Sequence, residues 1–195
     1  MKPYAFVAAL FASAALGGPA AATSTNQTNF TFDMVPACAS VKASGRVTIT
    51  HTPQLEENMH VEATGLPPNT DFHLFVIQDP IKPFALAWYM GDMLTDGTGS
   101  AVADFIGRFN IGTFIVAPGT TPAPVVLPGD ASSNPPTPPV QLYHLGLWFD
   151  TPSAAAKVGC GDKETPFNST HNAGAQVLNT SNFLPGNGPL FFVHP

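Results

Sequence analysis

The clearest pattern along the chain is an alternation of apolar and polar positions that begins near Gly45. In Arg46–His51, Val47 and Ile49 share one face and the threonines the other. In Met59–Thr64 the apolar set is Met59, Val61 and Ala63. A period of two places alternate side chains on one face, so both stretches predict half-buried strands. Phe72–Ile77 is apolar on both faces apart from His73, which predicts a central strand covered on both sides. Leu86–Leu94 predicts a fourth strand and Ser100–Ile106 a fifth. Asp96-Gly97-Thr98-Gly99 lies between them, and the pair reads as a hairpin. Further strands are predicted at Thr113–Val116 and, as one long element, at Val140–Phe149. Short ones follow near Ala175–Leu178 and Leu190–Val193. Thr151-Pro152 opens a short helix over 151–157, with Thr151 as its cap.

Seven to nine strands at this spacing predict an all-β fold, an antiparallel immunoglobulin-like β-sandwich, with a barrel as the alternative. Residues 118–139 hold eight of the chain's 21 prolines. Proline cannot donate to a ladder, so this stretch reads as a long loop within one domain. The domain is expected over 33–195, preceded by a flexible polar stretch at 23–32.

The first residues have a different character. Lys2 precedes an apolar run from Ala5 to Leu16, and Ala20-Ala21-Ala22 follows. That run is too short to span a bilayer, and the small residues suit a signal peptidase. Residues 1–22 therefore read as a signal peptide and the mature protein as secreted and extracellular. Two cysteines, Cys38 and Cys160, fit an oxidising compartment and are expected to form a disulfide. Four Asn-x-Ser/Thr sequons begin at Asn26, Asn29, Asn168 and Asn179. In a eukaryotic secretory pathway they are candidate glycan acceptors.

Composition narrows the function classes. The chain has 7 Lys+Arg against 13 Asp+Glu, a net charge of −6. This argues against a nucleic-acid partner, whose phosphates require a basic footprint.

Val61–Leu74 resembles the strand–corner–strand signature of fibronectin type III modules. Leu66, Pro68, Thr70 and Phe72 take the places of that family's leucine, proline, threonine and tyrosine. Phe72 lacks the tyrosine's corner hydroxyl. The resemblance implies a sandwich and carries no functional residue.

A search for chemistry returns few motifs. The histidines are His51, His60, His73, His144, His171 and His194. No His-x-His pair places two of them on one strand face, although His51, His144 and His171 could meet in space. Neither a metal nor another cofactor is expected. Asp92 and Asp96 lack the spacing of a calcium loop and read as turn residues. Glu62 and Asp104 are a carboxylate pair of the kind a glycosidase uses, with nothing in the sequence to join them. Trp88, Tyr89, Tyr143 and Trp148 lie in predicted strands and are candidates for stacking on sugar rings.

The leading expectation is a non-enzymatic extracellular module, wall-associated, adhesive or structural. It would act through surface contacts with polysaccharide or protein and have no membrane span in its mature chain. The alternatives are a secreted hydrolase or metal-dependent enzyme and a carbohydrate-binding protein.

Overall fold

The computed structural model describes residues 29–54, 56–115, 139–163, 165 and 172–195. The predicted signal peptide, Asn26, Asn168, His171 and all but the last residue of the proline-rich stretch lie outside the described residues.

The fold is all-β and antiparallel. Its strands are β1 (Phe30–Pro36), β2 (Ser44–His51), β3 (Glu57–Thr64), β4 (Asp71–Ile77), β5 (Ala87–Leu94), β6 (Ala101–Gly107), β7 (Phe114–Ile115), β8 (Val140–Gln141), β9 (His144–Phe149) and β10 (Gln176–Asn179). Among the described residues there is one α-helix, α1, spanning Pro152–Lys157. Eight strands pair in the order β5-β4-β9-β10-β1-β2-β3-β6, and β7 pairs with β8. β1 joins the two halves of the large sheet. Its first five residues pair with β2, and Val35 and Pro36 pair with β10. β1, β2, β3 and β6 form one layer (sheet A), and β10, β9, β4 and β5 the other (sheet B).

The inner faces of the two layers meet in one core. Val47, Ile49, Met59 and Val61 from sheet A pack in the same cluster as Phe72, Leu74, Leu145 and Leu147 from sheet B. Burying side chains of this size contributes about 1.5–3 kcal/mol each, the main force holding the layers together. Among the described residues β5 and β6 remain unpaired edges, so the sheet stays open and is not a closed barrel.

A second cluster covers the outer side of sheet B. Phe75, Ile77 and Trp148 project outward there and pack with Phe84 and Ala173. This explains why β4 and β9 lack polar alternation. The ring of Trp148 meets Phe75 and Phe84 edge-on, with centroids 5.4 and 5.1 Å apart. Trp148 also lies across Gly146, where a Cβ would overlap the indole.

Four expectations are corrected. β1 begins at Phe30, inside the stretch read as flexible, and it buries Phe32 and Met34. The Asp96–Gly99 turn forms, but β5 pairs with β4 and β6 with β3, so it links the two layers and does not close a ladder. The long strand at 140–149 is two strands. Between them the Tyr143 carbonyl accepts from the Leu190 amide and the Leu142 amide donates to Thr113. Residues 189–192 form a 3-10 turn, not a strand. Pro189 supplies a helical φ, and Leu190 and Val193 are buried at a three-residue spacing.

The helix forms as its sequence predicts, with the Ala154 amide donating to the Thr151 hydroxyl at 3.3 Å. Ala155 is buried against the core, and the chain then turns into Cys160. Cys160 is bonded to Cys38 across 122 residues. Closing a loop of that length stabilises the fold by about 4 kcal/mol in the chain-entropy account.

The corner at Leu66–Phe72 also forms. Leu66 is buried, and the Phe72 ring packs on Phe149 with centroids 4.9 Å apart. A hydroxyl just past the end of β5 braces this corner. Thr95 Oγ1 donates to the Pro67 carbonyl at 2.7 Å and accepts from the Thr70 amide at 2.9 Å.

Candidate functional site

The open edge between β5 and β6 contains an apolar groove of about 440 Å³. Its walls come from Val76 on β4, Trp88 and Met90 on β5, Ile106 at the end of β6, Phe109 beyond it, and Phe114 on β7. Beside the groove the gap between the edges is filled, because Phe105 packs into the space left by Gly91.

Trp88, Ile106 and Phe114 are 57, 70 and 55% exposed. Single exposed apolar side chains are ordinary, whereas three around one concavity mark a contact surface. Among the described residues of the lining, Arg108 is the one charged residue.

One wall of the groove is held by a buried carboxylate that the sequence reading passed over. Glu57 is 1% exposed. Its Oε2 accepts from the Phe109 amide and its Oε1 from Asn110 Nδ2, both at 2.7 Å. His51 Nδ1 lies 3.4 Å from Oε1. Thr113 Oγ1 then donates to the Asn110 and Arg108 carbonyls and fixes the turn that leads to Phe114. Glu57 is the first residue of β3, and only its place opposite Gly107 reveals the role.

The four stacking candidates do not form one strip. Trp88 faces the groove. Tyr89 lies on the opposite side of β5, opposite Phe75, and its hydroxyl donates to Asp92 Oδ1 at 2.6 Å. Partial burial and that carboxylate push the Tyr89 phenol up to about 12. The Tyr143 hydroxyl donates to the Ile111 carbonyl at 3.0 Å. Trp148 is fully buried and is corrected from a ligand contact to a core residue.

Four of the described histidines, His51, His60, His73 and His144, take separate partners. His144 is buried, with Nδ1 2.9 Å from Thr180 Oγ1 and Nε2 3.0 Å from the Pro185 carbonyl. Burial holds its pKa below the ordinary value of 6.5. On the outer face of sheet A, His60 Nδ1 lies 2.9 Å from Asp104, and Glu62 lies 4.0 Å from Nε2. The candidate carboxylates Glu62 and Asp104 are thus brought to one imidazole, on an exposed sheet face. Asp104 is held below the usual carboxylate range by the Asn58 amide first and His60 second. Asp96 is lowered by the Ser100 amide first, then by Thr98, as a turn residue would be.

His73 is the most closely flanked. Its Nε2 lies 3.2 Å from Asp92 and 3.0 Å from Asp150, while Nδ1 has no partner among the described residues. This cluster clamps β5 and the end of β9 onto β4. Among the described residues no group of three or more His, Cys, Asp or Glu side chains is arranged to hold a metal ion.

Of the sequons, Asn29 is exposed and accepts from Thr50 Oγ1 at 3.2 Å. Asn179 is 3% exposed, and its Nδ2 donates to the Pro80 carbonyl and to Gln176 Oε1. A glycan on that nitrogen and this packing exclude one another, which corrects the expectation for Asn179.

The fold and groove together define an antiparallel β-sandwich with a disulfide and an open apolar edge. Among its described residues no helix is long and apolar enough to cross a membrane. No known family model matches the chain, and no curated protein is detectably similar to it in sequence.

Proposed function

We propose that the protein is an exported, non-enzymatic binding module whose groove takes an extracellular polysaccharide. The observation that carries this reading is the pairing of exposed Trp88 and Phe114 on one concavity whose described lining has a single charged residue, Arg108. Sugar rings present apolar C–H faces that lie well on aromatic faces, and a neutral polymer requires few charged partners. The disulfide is consistent with an extracellular life, as is the export signal read from the first residues. Asn29 is the described sequon open to a glycan. The Leu66–Phe72 corner supports a fibronectin-type or immunoglobulin-like origin for the sandwich.

The test is adsorption of the purified protein to insoluble polysaccharides, cellulose, chitin and xylan among them. At least one should retain the protein, and Trp88→Ala should weaken retention about tenfold, which is about 1.4 kcal/mol. No retention on any of them, or equal retention by the variant, contradicts the reading.

A hydrolase is the second reading, favoured by the two carboxylates on His73. Glycoside or ester hydrolysis that is lost in Asp150→Asn would select it over the binding module.

A further inference from the structure

A cavity of about 620 Å³ opens on the outer side of sheet B, beside the disulfide. It shares no residue with the apolar groove. Its two rims are separate loops. One carries Ile81 and Lys82; the other, just after Cys160, carries Asp162 and Lys163.

Both rims are fixed. The Pro80 carbonyl accepts from Gln176 Nε2 at 3.2 Å and Asn179 Nδ2 at 3.0 Å. The Phe84 amide donates to the Ile81 carbonyl at 2.9 Å, and the Phe84 ring is buried against Trp148. Phe84 and Ala85 hold φ values of +64° and +53°, which cost non-glycine residues about 1–3 kcal/mol each. Backbone of this kind persists only where its surroundings over-determine it, and it concentrates at sites that must hold a shape. The opposite rim is held by the Cys38–Cys160 bond and by Ser40 Oγ, which donates to the Gly159 carbonyl at 3.0 Å.

The charges on these rims run against the rest of the chain. The whole protein has 7 basic and 13 acidic residues. Among the described residues of the cavity wall, two are basic, Lys82 and Lys163, and one is acidic, Asp162. Among the described residues neither lysine is in an ion pair, and Arg46 with Asp33 is the one Lys or Arg pair recorded. Two ammonium groups on separately braced rims, against one carboxylate in the described lining, favour an anionic group and leave the cavity for the body that bears it.

We infer that this cavity binds a small organic anion, a ring-sized molecule carrying a carboxylate or a phosphate that Lys82 and Lys163 hold from opposite rims. The site is independent of the groove, so either can fail alone.

The experiment is isothermal titration of the disulfide-intact protein with galacturonic acid, glucose 6-phosphate and neutral glucose at low ionic strength. At least one acid should bind with a Kd of about 1 mM or tighter, and glucose should not. Which acid binds assigns the anionic group. Lys82→Gln/Lys163→Gln should raise that Kd at least about tenfold, and raised salt should weaken binding. The control is Lys42→Gln/Lys157→Gln, which removes the same charge outside the cavity and should leave the Kd unchanged. All four lysines are exposed, so the folded state should survive, as an unchanged near-ultraviolet circular dichroism spectrum would verify. Acids binding no better than glucose would overturn the inference. So would an unchanged Kd in the cavity variant or an equal loss in the control.

Discussion

On the outer side of sheet A, Thr31, Arg46, Thr48, His60 and Asp104 stand beside one another and reach water. On the outer side of sheet B, Phe75, Ile77 and Trp148 are sealed beneath Phe84 and Ala173. The two layers share one core and differ in what covers their backs. Sheet A needs nothing there, because cross-strand pairs such as Arg46–Asp33 and Thr31–Thr48 are solvated. Such exposed pairs contribute about 0–1 kcal/mol each. Sheet B needs a lid of loops, and those loops form the rims of the cavity with Lys82 and Lys163. The proposed groove and anion cavity therefore lie along the open edge and on the covered layer, while the solvated face carries exposed cross-strand pairs.

Four substitutions or conditions break or sharpen this contrast. Trp148→Ala removes the centre of the cover on sheet B and should destabilise the protein by about 4 kcal/mol, read by urea denaturation. Gly146→Ala places a methyl against the Trp148 ring and should cost about 2–3 kcal/mol by the same measurement. A cost below about 0.5 kcal/mol for either would mean that the cover is loose.

The third is a pH effect. His144 is also on the covered side, and burial lowers its pKa. The unfolded chain then binds the proton more readily than the folded one. Stability from the neutral imidazole is present above the ordinary value of 6.5 and is lost as pH falls below it toward the folded pKa. Denaturation midpoints between pH 7 and 5 should drop more steeply in the native protein than in His144→Gln. Equal slopes would remove His144 from the account. Smallest of all, Thr48→Ala on the solvated face should change stability by less than about 0.5 kcal/mol.

The same contrast explains what could be read from the chain alone. β2 and β3 of sheet A have one wet face, so their alternation gave strands, faces and core residues together. The helix cap at Thr151 and the Leu66 corner were visible because their chemistry is local. β9 is buried at every position, and an all-apolar run says strand without saying which face meets which neighbour. For that reason Trp148 could not be told from a surface aromatic. The turn at Asp96–Gly99 has hairpin chemistry, yet the partners of β5 and β6 are set by the core, which pulls them into different layers. Phe30-Thr31-Phe32-Asp33-Met34 does alternate, and only its polar neighbours obscured β1. Glu57 and the two lysine rims were out of reach, since each depends on residues far apart in the chain.

The protein has two tryptophans, and the contrast places them in opposite settings: Trp88 is 57% exposed at the groove and Trp148 is 0% exposed beneath the cover. Their fluorescence gives the most direct test of the groove as the polysaccharide site. Soluble oligosaccharides of a polymer that retains the protein should shift native emission to the blue as Trp88 leaves water. Trp88→Phe, which keeps only the buried reporter, should show no shift. A ligand-induced shift that survives in Trp88→Phe, or no shift in the native protein at saturating ligand, would contradict the assignment.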